Sequence, residues 1–297
     1  MNKLINLILL TAIATACNTS DQEFDATGNF EADETIVSAE GNGKLAQFLI
    51  EEGRELKADQ FVGYIDTTQL YLKKKQLEYS IKAVLSKKPD IAKQLSSTQE
   101  QIDFTTREKD RFERLLKEDA ATQKQVDDLV SQLEVLQKQY DALQSSLQIS
   151  TNAITKESLP LDAQIDQLND QIQKSKIVSP KSGTVLAKYA EEGELAMNGK
   201  ALFKMADLSV INLRVYISGS QLPSVKLGQD VKVMVDANAD EYKEYKGKVF
   251  WISDKAEFTP KTIMTKEERA NLVYAIKISV PNDGTLKIGM YGEVLFQ

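Results

Sequence analysis

The sequence has no histidine, one cysteine and one tryptophan in 297 residues. Without histidine there is no imidazole acid–base pair and no His-ligated metal site. With Cys17 alone there is no intramolecular disulfide and no cysteine metal cluster. No catalytic residue, metal ligand or cofactor site is read from what remains. Basic charge is also short: 37 Lys and Arg stand against 44 Asp and Glu, a net −7. Nucleic-acid binding, which needs clustered cations, is therefore not expected. Aromatics make up only 7%, which suits several small cores better than one large globule. Glycine is missing between Gly63 and Gly183. A hydrophobic fraction of 42% with 27% charge still describes a folded, soluble chain.

The chain begins with Lys3 and a short apolar stretch, Leu4 to Ala16, well below the ~20 residues of a membrane span. It reads as a signal peptide over residues 1–16. The small residues Ala14-Thr15-Ala16 allow two kinds of processing. One leaves a free thiol; the other makes Cys17 the lipidated first residue of the mature protein. Ala14 departs from the Leu usual in a lipobox, while the lone cysteine sits at the position lipidation requires. Residues 17–30 follow as a polar tether.

Two segments repeat one another. Residues 36–66, "IVSAEGNGKLAQFLIEEGRELKADQFVGYID", and 177–207, "IVSPKSGTVLAKYAEEGELAMNGKALFKMAD", both open with Ile-Val-Ser and end in Asp. Gly43, Gly53, Gly183 and Gly193 fall at turns between short apolar runs. Neither copy can bury a core by itself. The paired pattern resembles the biotinyl/lipoyl domain, a sandwich of two similar halves (31–66 with a leading barrel strand, and 176–207). The half-domain junction, "YIDTTQLYLKKKQLE", lacks the context of a carrier lysine, so Lys73, Lys74 and Lys75 read as a solvated helix face.

Between the halves lie residues 67–175. Heptads counted from Leu70 place Leu70, Leu77, Val84, Ile91 and Phe112 at a, with Ile81, Leu95, Ile102 and Leu116 at d. In a second arm Val126, Leu133, Tyr140, Leu147 and Ile154 take a, and Leu129, Leu136 and Leu143 take d. Leu161, Ile165, Leu168 and Ile172 read as out of phase, so a stutter or break is expected near residues 158–160. Pro89 marks a weak point in the first arm. Equal arms about a polar connector near 119–122 predict an antiparallel hairpin. A lipoyl domain split by such a hairpin resembles the HlyD-type membrane fusion proteins, the periplasmic adaptors of bacterial exporters.

The connector offers Thr122 as helix N-cap with Gln125 completing a capping box. Arg111, Leu115 and Thr122 also have the spacing Arg-x3-Leu-x6-Ser/Thr, followed by Asp127. This resembles the tip motif by which adaptors of TolC-dependent exporters meet the outer-membrane channel. The resemblance implies a docking tip in which Arg111 supplies hydrogen bonds and Leu115 an exposed apolar knob.

From residue 208 to 297 the period becomes two, as in "VINLRVYI", "DVKVMVD" and "LVYAIKISV", which predicts at least five strands of an antiparallel barrel, with 28–35 as a further strand. "AEFTPKTIMTKEERANLVYAIKI" resembles the barrel loop of adaptors that serve ABC-type transporters. Nothing after the last strand is expected to form a membrane-proximal domain.

The expected fold class is α+β and elongated: a coiled-coil α-hairpin inserted in a split lipoyl-like β-sandwich, followed by an antiparallel β-barrel. The resemblance implies a non-enzymatic periplasmic adaptor, without a cofactor, anchored to the inner membrane through Cys17. Its implied partners are an ABC transporter (permease and ATPase), a TolC-type channel and further copies of itself in a hexamer. Two alternatives stay open: a coiled-coil scaffold lipoprotein without a channel partner, and a lipoyl or biotinyl carrier.

Overall fold

In a computed structural model, residues 24–238, 241–257 and 272–296 are described. The signal peptide and Cys17 lie outside them, as do residues 258–271, most of the expected barrel-loop segment 256–278.

The first half contributes β1 (Ala26–Glu31), β2 (Thr35–Ser38), β3 (Gly43–Phe48), β4 (Glu55–Leu56) and β5 (Phe61–Ile65). Three helices follow: α1 (Thr68–Leu85), α2 (Ile91–Lys117) and α3 (Gln123–Lys174). The second half adds β6 (Lys176–Val178), β7 (Gly183–Lys188), β8 (Leu195–Ala196) and β9 (Ala201–Ala206). The remainder is β10 (Val210–Ser218), β11 (Asp230–Asp236), β12 (Tyr242–Glu257), β13 (Val273–Pro281) and β14 (Tyr291–Phe296).

The two repeats do not form one sheet each. One sheet runs β2-β9-β7-β4 and the other β6-β5-β3-β8, so each mixes strands from both halves. Leu45, Phe48, Ile50 and Ile65 of the first half pack on Ile177, Val185, Leu202, Phe203 and Met205 of the second. The Phe48 and Phe203 rings lie 6.3 Å apart in a tilted contact. The repeated glycines serve two purposes. Gly53 and Gly193 have φ of +83° and +94°, which a side chain would resist. A Cβ on Gly43 would stand 2.9 Å from Ile65 Cγ2, and one on Gly183 would stand 2.5 Å from the Ala206 carbonyl oxygen. Each half ends in the same aspartate turn. Asp66 accepts from the Thr68 N–H and hydroxyl at 2.8 and 2.6 Å, and Asp207 from those of Ser209 at 2.9 and 2.6 Å. In one copy the turn starts a helix, in the other a strand.

The remaining strands close a barrel in the order β1-β10-β13-β12-β11-β14, with β14 pairing back on β1. The alternation seen in sequence points inward as expected: Ile211, Leu213, Val215 and Ile217 are buried, as are Val231, Val233 and Val235. The extra strand is shifted from its expected place. It spans 26–31, not 28–35, and takes over five residues assigned to the tether. Phe30, fully buried among barrel residues, supplies the reason, and β2 leaves for the sandwich at Thr35.

The hairpin is antiparallel, with Lys87 Nζ 3.9 Å from Glu157 across the arms. Its inner face carries the expected seam, Leu95, Ile102, Val126, Leu147 and Leu168 being the buried apolar members. The first arm is in two pieces. Pro89 disfavours helical backbone at Lys88, and Asp90 restarts the helix by accepting from the Lys93 N–H at 3.0 Å. The expected break at 158–160 is absent: α3 runs unbroken through Pro160 for 52 residues, about 78 Å at ~1.5 Å per residue. Pro160 and Lys156 are both exposed, so water can take the carbonyl that the proline leaves without a donor. The phase change is also milder than expected. The row from Val126 through Leu147 and Ile154 to Leu161 and Leu168 stays inward throughout. Only its companion row moves by one residue, from Leu136 and Leu143 to Thr151, Ser158, Ile165 and Ile172. A straight helix drifts by about 20° per heptad, and such a shift absorbs that drift.

Two outcomes are expected. A Cβ on Gly28 would lie 1.8 Å from the Arg214 carbonyl oxygen, backbone that cannot yield. Gly28→Ala should lower the barrel's thermal midpoint by roughly 10 °C, on the scale of 1–3 kcal/mol for overpacking, measurable by calorimetry. Hydroxyl and amide hydrogen bonds, from Thr68 and Ser209 respectively, hold the Asp66 and Asp207 carboxyls below the ordinary 3.8. Their stabilisation is present above the unfolded-state value and lost as pH falls through the lower folded value. Denaturation midpoints should therefore drop below about pH 4, and Asp207→Asn should drop less, because its amide oxygen still accepts but does not titrate.

Candidate functional site

Helix α2 ends because its last carbonyls are taken by a turn and not by a fourth helical residue. The Ala120 N–H donates to the Leu115 carbonyl at 2.9 Å and the Asp119 N–H to that of Leu116 at 3.1 Å. This is a Schellman arrangement, with Asp119 left-handed at φ 56°. Two residues later Thr122 starts α3 in extended backbone. Its hydroxyl accepts from the Gln125 N–H at 3.4 Å, and the Gln125 side-chain oxygen accepts from the Thr122 N–H at 2.8 Å. The capping box expected from sequence is present. The Schellman turn was missed, since the position usually held by glycine carries aspartate, the kind of residue whose short polar chain tolerates that backbone.

The four expected tip residues sit around this turn in different states. Arg111 is exposed, and among the described residues its only ion pair is a long one, 3.7 Å to Glu108 one turn back. Thr122 and Asp127 are exposed, and Asp127 accepts from the Gln123 side-chain amide at 2.8 Å. Leu115 is half-buried beside Leu116, not the exposed knob expected. The Thr122 hydroxyl also donates to Gln125 Oε1 at 3.0 Å, so it serves the cap first. Of these four residues, Arg111 presents a guanidinium with spare donors, Leu115 a partly covered apolar side chain and Asp127 a carboxylate, next to a turn held by backbone and capping hydrogen bonds.

Gly43, Gly53, Gly183 and Gly193 shape the sandwich at the other end of the hairpin and do not approach the tip. Among the described residues no group of His, Cys, Asp and Glu is arranged to hold a metal ion, and no helix is long and apolar enough to cross a membrane. Side chains that the sequence reading passed over include outward apolar residues on the shaft, such as Tyr71, Leu72, Tyr79, Phe104 and Ile149, each more than half exposed. Their signal was available as apolar residues outside the heptad positions.

No protein-family model matches the sequence. A UPF0194 membrane protein of Yersinia pseudotuberculosis is 34% identical over 131 residues, 44% of this chain and 39% of that protein. The UPF0194 membrane protein YbhG of Salmonella gallinarum is 32% identical over 126 residues, 42% of this chain and 38% of that one. The matched region thus spans less than half of these relatives. Among solved structures, MacA of Actinobacillus actinomycetemcomitans superposes with a TM-score of 0.54 at 20% identity, covering 91% of this chain and 76% of that one. The membrane fusion protein Spr0693 of Streptococcus pneumoniae superposes with a TM-score of 0.51 at 14% identity, covering 91% and 97%. With its split sandwich, inserted hairpin and closed barrel, this chain has the fold of MacA and of the membrane fusion protein Spr0693.

Proposed function

We propose that the protein is a non-enzymatic periplasmic adaptor, joining an inner-membrane ABC exporter to a TolC-type outer-membrane channel. The observation that carries this reading is the gathering of Arg111, Leu115, Thr122 and Asp127 around one rigid turn at the far end of a long hairpin. Arg111 offers donors for carbonyl or carboxylate groups on a channel. The Schellman turn and capping box fix the backbone of the turn before contact, which lowers the ordering cost of docking there. The opposite end of the molecule fits the membrane side. Asp25, at the start of the barrel, donates its N–H to the Val294 carbonyl at 3.0 Å and accepts from the Phe296 N–H at 2.7 Å. A lipid on Cys17, eight residues earlier, would hold the barrel at the inner membrane. Several copies, six in the reading by resemblance, would enclose the conduit, with energy supplied by ATP hydrolysis in the transporter.

A photo-crosslinking residue at position 111, in intact cells, should capture an outer-membrane channel, and Arg111→Asp should lower export by about tenfold, the loss of one charged contact of ~1.4 kcal/mol. No capture together with unchanged export would leave the scaffold-lipoprotein reading in its place. The cap and the docking contact separate by a second pair of variants. Thr122→Ala should destabilise the hairpin by about 1 kcal/mol, and Thr122→Ser should restore it, as read by thermal melts followed by circular dichroism.

A further inference from the structure

At Phe24 and Asp25 the chain is fastened to the barrel by more than strand pairing. The Asp25 carboxylate accepts from the Phe296 N–H at 2.7 Å, and the Asp25 carbonyl accepts from the Gln221 side-chain amide at 2.8 Å. Just before it, the Phe24 ring meets the Tyr242 ring edge-on, with centroids 5.3 Å apart. This contact spans part of the barrel wall. Phe24 precedes β1 and Tyr242 opens β12, while β14 and β11 lie between those two strands. Phe24 is half-buried and Tyr242 is 45% exposed, so the rings meet on the outside, over the outward side chains of β14 and β11.

One of those side chains is Glu293. It stands opposite Thr27 of β1 on one side and Met234 of β11 on the other. Its Oε2 atom is buried and has no hydrogen-bond partner among the described residues. The neighbouring groups do not neutralise it. Asp236, diagonal to it on β11, adds a like charge, and Tyr291, two residues back along β14, carries none. Lys232, diagonal on the other side, is held by Glu244 of β12 at 3.3 Å, and Lys246 stands opposite Lys232 on β12. The Tyr242 hydroxyl is the group of β12 that faces Glu293, and the Asp25 carboxylate is turned to the Phe296 N–H. Burial, with the Asp236 charge added to it, pushes the Glu293 carboxyl above its ordinary 4.5.

We infer that Phe24 and Tyr242 form a proton-sensitive clasp over Glu293, closed on the neutral carboxyl and loosened by the charged one. An unpartnered carboxylate oxygen beneath two rings is poorly solvated. Once protonated, the same carboxyl gains a hydrogen to donate, and Asp236 supplies an acceptor on the adjoining strand. Linkage then runs both ways: closing the rings favours the proton, and binding the proton favours closure. Because the carboxyl is raised, the clasp is at full strength below the unfolded-state value and weakens as pH rises through the higher folded value. That sign is opposite to the one at Asp66 and Asp207. The clasp therefore governs how tightly the polar segment ahead of β1 is tied to the barrel wall. It concerns the barrel alone and does not depend on the partners proposed above.

The test places 4-fluorophenylalanine at position 24 of the full-length protein and follows its fluorine resonance from about pH 7.5 down to about pH 4.5. The resonance should move in one titration step toward the position of a ring shielded from water. Glu293→Gln should abolish the step and hold the resonance at its low-pH position throughout, because the amide is neutral and keeps a donor. Asp236→Asn changes an exposed side chain and should lower the midpoint by about half a pH unit, the effect of one like charge at roughly 7 Å in a watery setting. A resonance that does not titrate in this range, or one that still titrates in Glu293→Gln, overturns the inference. Thermal melts give a second reading. Glu293→Gln should melt above the parent near pH 7 and together with it near pH 4.5, and an equal difference at both values would also overturn it.

Discussion

The pairing of β5 with β6 governs the rest of the architecture. These strands end the first half-repeat and begin the second, and they lie antiparallel with Gly63 opposite Ile177 and Tyr64 opposite Lys176. One residue further the Ile65 N–H donates to the Ser175 carbonyl at 2.8 Å. The two points where the helical insertion leaves and re-enters the sandwich are thereby held side by side. Anything inserted between them must go out and return. A helical insertion with a turn at its middle can do so only as an antiparallel hairpin. Loop closure penalises length weakly, roughly 0.6 kcal/mol per doubling, so so long an insertion does not undermine the sandwich that carries it.

The same interleaving explains why two weak repeats make a stable body. Each half contributes the two central strands of one sheet and the two edge strands of the other, β2 and β4 or β6 and β8, and an apolar core closes between the sheets. The hairpin is held more lightly. Its seam contains Thr98, Thr105 and Lys109 alongside leucines, and α1 buries no residue fully. A rod of this kind keeps its direction from helix continuity and its termini from caps. Its outer surface remains free for contacts with other chains. The function proposed for the molecule uses that division: a firm base, a long arm, and specific chemistry where the arm ends.

Much of this was legible in particular residues. The two Ile-Val-Ser segments with their Glu-Glu-Gly turns announced the sandwich, because turn glycines and short alternating runs leave few other solutions. The heptad rows named the inner face of both arms, and the alternating Ile and Val residues from position 211 onward named the barrel interior. The errors came where local signals compete with packing. Pro160 looked like a breaker, yet on an exposed face its lost hydrogen bond costs little; Pro89, followed by the capping Asp90, did break its helix. The barrel strand expected at 28–35 instead spans Ala26–Glu31, where one buried phenylalanine and the gap between β10 and β14 fix its register.

By itself the sequence determined the elements, their order, the inward face of each and the residues at the hairpin turn. These depend on periodicity, turn chemistry and capping, all of which act within a few residues along the chain. Tertiary structure alone decided which half-repeat shares a sheet with which, where β1 begins and which strands it joins, and that Leu115 is half-buried. Such relations join residues tens to hundreds of positions apart, and they exist only once β5 and β6 have brought the two arms into register.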